Sequence, residues 1–95
     1  REIQNNLTDL LFKDVPTRLA GILEKLADQY GEETNEGIKI TPNFTHEEIA
    51  KLIGSTRETT TANLNQFETE GLIEKGRGNI VIKDRSGLSR KASLN

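Results

Sequence analysis

Ninety-five residues, a third of them apolar and with a formal net charge of −2, suffice for one small domain with a single core. The chain has no cysteine, which excludes disulfides and thiolate metal sites, and no apolar run approaches the ~20 residues needed to span a bilayer. No signal peptide is visible, so a cytoplasmic location is expected.

The aromatic residues are Phe12, Tyr30, Phe44 and Phe67, and the core must therefore be built mostly from Leu, Ile, Val and Ala. Residues 1–12 place Ile3, Leu7, Leu10 and Leu11 on one helical stripe. Such a segment is too short to be stable alone, and it starts at Arg1 without a Met. It is expected to be the end of a longer helix, in a piece of a longer protein. Asp14 then caps a helix with Val15 and Pro16 in its first turn. Leu19, Ile22, Leu23, Leu26, Ala27 and Tyr30 line its core face, and Gly31 ends it. Gly21 inside this helix suggests close packing against a neighbour, since glycine there costs ~1 kcal/mol relative to alanine.

Residues 31–37 read as a polar, acidic loop, with Glu32, Glu33 and Glu36 solvated rather than metal-binding. A short strand follows, Ile38 and Ile40 alternating with Lys39 and Thr41 until Pro42 ends it. Thr45 opens a capping box with Glu48, ahead of Ile49, Ala50, Leu52 and Ile53, and Gly54 stops this helix. A second helix starts at Ser55 or Thr56. Ser55 as cap would draw Glu58 into another capping box, whereas Thr56 as cap would leave Glu58 pointing outward. Thr60, Leu64 and Phe67 fall on the core side, and Arg57, Glu58, Thr61, Ala62 and Asn65 on the exposed side. Gly71 terminates the helix. Leu72-Ile73 and Ile80-Val81-Ile82 then read as paired strands around the turn Lys75-Gly76-Arg77-Gly78-Asn79. Residues 83–95 read as a polar, basic, frayed tail.

The fold class is therefore mainly α with a small β-hairpin wing, a winged helix-turn-helix spanning residues 13–83. Charge is distributed to match. Residues 1–36 carry four basic and eight acidic side chains, whereas residues 37–95 carry nine and seven. From Gly71 onward Lys75, Arg77, Lys83, Arg85, Arg90 and Lys91 face only Glu74 and Asp84. A phosphate backbone responds to local potential, so this surplus outweighs the net acidity.

The run Gly54-Ser55-Thr56-Arg57-Glu58-Thr59, after Thr45-x-x-Glu48-Ile49-Ala50 and before Gly71-Leu72-Ile73, resembles the C-terminal DNA-binding domain of the Crp–Fnr family of bacterial transcription regulators. Asp14-Val15-Pro16-Thr17-Arg18-Leu19-Ala20 is similar to that family's entry into its first DNA-domain helix, and the resemblance covers about residues 1–82. It implies double-stranded DNA as partner and a homodimer in the full-length protein, and it admits RNA polymerase as a further partner. No membrane is implied. It also implies an N-terminal effector domain absent from this sequence, joined by a dimerisation helix whose end is residues 1–12. No cofactor is expected in the present domain, and the effector cannot be read from it.

By the same resemblance Arg57 would contact guanine O6 and N7 as a fork, and Glu58 would accept from cytosine N4. The plainer roles are a surface ion pair with Glu58 or Asp84 for Arg57, and a cap for Glu58. Thr61 adds a base contact by helical phase. Phosphate contacts fall to Thr45, Thr56 and Thr59 at helix N-termini, with Asn65 and the wing residues Lys75 and Arg77. Ala62 departs from the family, many members having a second Arg there. Alanine reaches at most a thymine methyl, so the family's commonest half-site is not expected. His46, the only histidine, reads as a first-turn surface residue near a phosphate.

No catalytic constellation and no metal site emerge. Gly76-Arg77-Gly78 is a hairpin turn rather than a phosphate loop, and Ser55 has no nearby His partner. An enzyme is not expected. The alternative is a winged helix used for protein contact without DNA, which the net acidity and Ala62 would favour.

Overall fold

The computed structural model describes residues 15–93; the expected helix over residues 1–12 and the Asp14 cap lie outside them. Its first element, α1 (Val15–Tyr30), turns Leu19, Ala20, Leu23, Leu26 and Ala27 inward, as their helical spacing requires. Tyr30 does not continue this face. It lies beyond the edge of the core, 44% exposed, with its ring 5.6 Å from that of Phe44. Gly21 also departs from expectation, because a Cβ built there meets nothing within 4 Å. No neighbour requires the glycine.

The expected acidic loop is instead half of a hairpin. β1 (Gly31–Thr34) pairs antiparallel with β2 (Gly37–Ile40), Gly31 opposite Ile40 and Thr34 opposite Gly37. All four β1 residues are exposed, so the strand carries no apolar alternation, and pairing with β2 defines it. Gly37 takes a φ of +135°, and a side chain there would collide with the Ile82 carbonyl.

Two helices follow, α2 (His46–Ile53) and α3 (Arg57–Thr69), and then the wing strands β3 (Ile73–Lys75) and β4 (Ile80–Ile82). The wing does not stand alone. β4 also pairs with β2, Ile40 opposite Ile80 and Ile38 opposite Ile82, giving one antiparallel sheet in the order β1-β2-β4-β3. Ile40, Ile73, Ile80 and Ile82 are buried from this sheet against Leu19, Leu23, Ile49, Leu64 and Phe67 of the helices. The winged helix-turn-helix expected from the sequence is the observed fold.

Within that core Thr60 is fully buried, and its hydroxyl has no hydrogen-bond partner. A buried unsatisfied hydroxyl opposes folding, whereas a methyl of the same shape does not. Thr60→Val should therefore raise stability by about 1 kcal/mol. A urea melt showing an unchanged or lower midpoint would contradict this.

The tail expected to be frayed is instead ordered. Arg85–Ala92 forms a helix, α4, whose N-cap Asp84 accepts from the Gly87 N–H at 2.9 Å. Leu88 is completely buried, and α4 packs on α1. Arg85 reaches Glu24 at 3.3 Å and Asp28 at 2.9 Å, while the Ser89 hydroxyl bonds the Glu24 carboxylate. Lys91 lies 3.2 Å from Glu70 and 5.3 Å from the centre of the Phe67 ring. These partners are distant in sequence, which is why a polar octapeptide looked unstructured.

The basic surplus after Gly71 is correspondingly smaller in space than along the chain. Lys83 pairs with Glu74 at 3.5 Å, and Arg85 and Lys91 are engaged as above. Arg77 and Arg90 are left without an ion pair or side-chain hydrogen bond among the described residues.

Candidate nucleic-acid interface

The helix-turn-helix is closed by local chemistry at each junction. Thr45 caps α2 in a full capping box, its Oγ1 accepting from Glu48 N at 3.0 Å while its own N–H donates to Glu48 Oε1 at 2.8 Å. At the other end Gly54 takes the left-handed conformation at φ +68°, and Ser55 N–H returns to the Ala50 carbonyl at 2.9 Å. Arg18 of α1 adds a hydrogen bond from Nε to the Ile53 carbonyl at 2.8 Å, tying the end of α2 to α1.

The cap of α3 is Thr56, whose Oγ1 accepts from Thr59 N at 3.1 Å. This resolves the choice between Ser55 and Thr56. Glu58 is not drawn into a box and its side chain is 76% exposed. Arg57, 58% exposed, touches it at 3.6 Å. An ion pair this exposed is worth about 0–1 kcal/mol and yields readily to a better partner. Thr59 and Ala62 are exposed beside them, while Thr60, Leu64 and Phe67 hold the opposite face in the core. The outward face of α3 therefore begins with a guanidinium and a carboxylate on adjacent residues.

The remaining expected contacts divide between open and engaged groups. Thr45 and Thr56 already use an oxygen lone pair in capping, which leaves each hydroxyl hydrogen able to reach a phosphate. Arg77, at the exposed wing turn, has no partner among the described residues. Lys75 and Asn65, expected to hold phosphates separately, are bonded to one another through Nζ and Oδ1. Glu68 reinforces this by accepting from the Lys75 backbone N–H at 3.0 Å. The wing is thus fastened to α3.

Thr61 is half-buried, and its Oγ1 lies 2.7 Å from Nδ1 of His46. His46 is accordingly no free surface residue. Burial, followed by the positive charges of Lys75 and Arg57, holds its imidazole below the ordinary range. Neither link, His46 to Thr61 nor Lys75 to Asn65, carries a signal in the linear sequence, since each joins residues 10 or more positions apart. Between the wing turn and the start of α2 runs a cleft of about 410 Å³, lined by Asn43, Thr45, His46, Lys75, Gly76 and Asn79. Among the described residues no group of acidic, His or Cys side chains is arranged to hold a metal ion, and no helix is long and apolar enough to cross a membrane.

A family model described as a Crp-like helix-turn-helix domain matches residues 17–91. The chain belongs to that family. The match reaches through most of α4, so this helix falls within the Crp-like domain. Among curated relatives, the CRP-like cAMP-activated global transcriptional regulator of Mycobacterium tuberculosis is 39% identical over 92 residues, covering 97% of this chain and 41% of the relative. The transcriptional regulator SdrP of Thermus thermophilus is 32% identical, with 96% of this chain and 45% of the relative covered. Among solved structures, the CO-dependent transcription factor CooA from Carboxydothermus hydrogenoformans superposes with a TM-score of 0.79 at 35% identity, over 96% of this chain and 44% of that one. This Crp-like chain thus spans less than half the length of the relatives it matches. These relatives are named as transcription regulators, which supports a DNA-binding regulator over a module used only for protein contact.

Proposed function

We propose that the chain is the sequence-specific DNA-binding module of a Crp–Fnr-like bacterial transcription regulator. The observation that carries this reading is the Thr56 cap, which leaves Arg57 and Glu58 both exposed at the start of α3. At ~1.5 Å per residue, α3 is about 20 Å long and fits end-on into a major groove ~12 Å wide. Arg57 reads guanine, Glu58 accepts from cytosine N4, and Thr61 touches a third base edge. Thr45, Thr56 and Thr59 present hydroxyls to phosphates at the two helix starts, and Arg77 does so from the wing. Lys75 and Asn65 contribute by orienting one another beside the groove.

In the full-length protein two copies, paired as a homodimer, would read an inverted repeat with half-sites one helical turn or a multiple apart. Such a regulator works in the cytoplasm and presents RNA polymerase with a further surface. The relatives named above are cAMP-activated in one case and CO-dependent in another. Similar DNA modules therefore serve different effectors.

Titrating the chain onto random and selected duplexes at two salt concentrations tests the reading. Binding should weaken as salt rises, with a log–log slope of about −0.9 per phosphate neutralised. Affinity for a single copy should be modest, because bivalent engagement is absent. If no duplex shows salt-dependent binding, the DNA reading fails.

A further inference from the structure

Among the described residues, the hydrogen bond between His46 Nδ1 and Thr61 Oγ1 is the only one joining side chains of α2 and α3. It is short, at 2.7 Å, and half-buried at the edge of the stripe that carries Arg57. A threonine hydroxyl owns one hydrogen and two lone pairs, so the partner that takes its hydrogen decides what it still offers. We propose that His46 is a positioning residue that sets the hydrogen-bond polarity of Thr61, and through it the base that Thr61 prefers. This rests on the DNA-binding reading above.

The two states follow from the imidazole. When Nδ1 is unprotonated it accepts the Thr61 hydrogen, and Thr61 presents only lone pairs to the groove. Bases with an amino edge, adenine N6 or cytosine N4, then suit it. When the ring is protonated, Nδ1–H donates to Thr61, whose own hydrogen is released. Thymine O4 and guanine O6 then become the better partners. Lys75 of β3 and Arg57 of α3 face the ring with positive charge, while Glu47 and Glu48 adjoin it on α2. Glu48 is engaged in the capping box. Burial and the two cations favour the neutral ring near neutral pH, and in its Nε2–H tautomer Nδ1 holds Thr61 in the acceptor form.

The test starts by finding the base pair under Thr61. The chain is titrated onto a selected duplex and its single-base-pair variants, and Thr61→Val marks the position where discrimination is lost. At that position the four base pairs are compared at about pH 8 and at the lower pH where the imidazole ¹⁵N shifts report a protonated ring. Wild type should change its ratio of amino-edge to carbonyl-edge bases by about fivefold between the two, the worth of one net hydrogen bond. His46→Lys, a donor at both pH values, should hold the low-pH ratio throughout. Its added charge acts on phosphates and changes all four duplexes alike. Imidazole ¹⁵N shifts of the wild-type chain supply a second readout and should show Nδ1 unprotonated at the upper pH.

A pH-independent ratio, an Nδ1–H tautomer at the upper pH, or Thr61→Val without loss of discrimination at any position would overturn the proposal. If these occur while duplexes still bind in a salt-dependent, Arg57-dependent manner, the DNA reading survives alone. If no duplex binds, both fail.

Discussion

Arg57→Ala should cost about 1–3 kcal/mol of binding at a selected site and relax the preference at one base pair. The expectation rests on how little holds the side chain in the free protein. More than half of it is exposed, and its ion pair to Glu58, the only one it makes among the described residues, is itself at the surface. Only this weak surface pair has to yield before the guanidinium meets a guanine edge. Its fork then makes two hydrogen bonds at fixed spacing, which lysine could not reproduce. Folding stability should stay within about 0.5 kcal/mol of wild type, as for other exposed positions. Competition titrations against single-base-pair variants of the site provide the check. Equal weakening on every sequence would make Arg57 a phosphate contact. The neighbouring Ala62 is exposed and offers no donor, so the half-site should lack the contact that a second arginine would make.

Phe67→Ala should lower stability by about 3–5 kcal/mol, a large share of the ~5–15 kcal/mol typical of a domain. The ring is 1% exposed and belongs to the one core that joins α1, α3, the sheet and α4. Its removal leaves a void in the core it shares with Leu64, Leu72 and Leu88 and withdraws the surface over which the Lys91 ammonium sits. Because Phe67 is buried near the other end of α3 from Arg57 and Glu58, its loss acts through folding and not through contact with DNA. Urea denaturation should show a lower midpoint at an unchanged slope. A change below about 1 kcal/mol would mean that the site collapses around the missing ring.

What could be read from the chain alone was what depends on neighbours within a few residues. Helical phase placed Thr60, Leu64 and Phe67 inward and Glu58 and Ala62 outward, and the structure keeps them there, while Arg57 is exposed because it opens the helix. Thr45 with Glu48, and Gly54 after Ile53, delimit α2 because a cap and its target lie within one turn. The two candidate base readers at the start of α3 are therefore properties of the local sequence.

Tertiary structure decided what depends on partners brought together from afar. β1 has no exposed-buried alternation and exists because β2 offers it a backbone edge. α4 is too polar and short to persist alone, and forms where Leu88 finds the core and Arg85 finds Glu24 and Asp28. The same pairings reduce a basic surplus that looked larger in one dimension. The choice of Thr56 over Ser55 as cap required the geometry of the turn, because both residues carry a hydroxyl at a permitted position. The links from His46 to Thr61 and from Lys75 to Asn65 required the wing and α2 to be set beside α3. Sequence thus determined which residues face outward, because helical phase is local. Only the fold determined which of them are open and which are held, because hydrogen bonds and ion pairs form between whatever packing brings within about 3–4 Å.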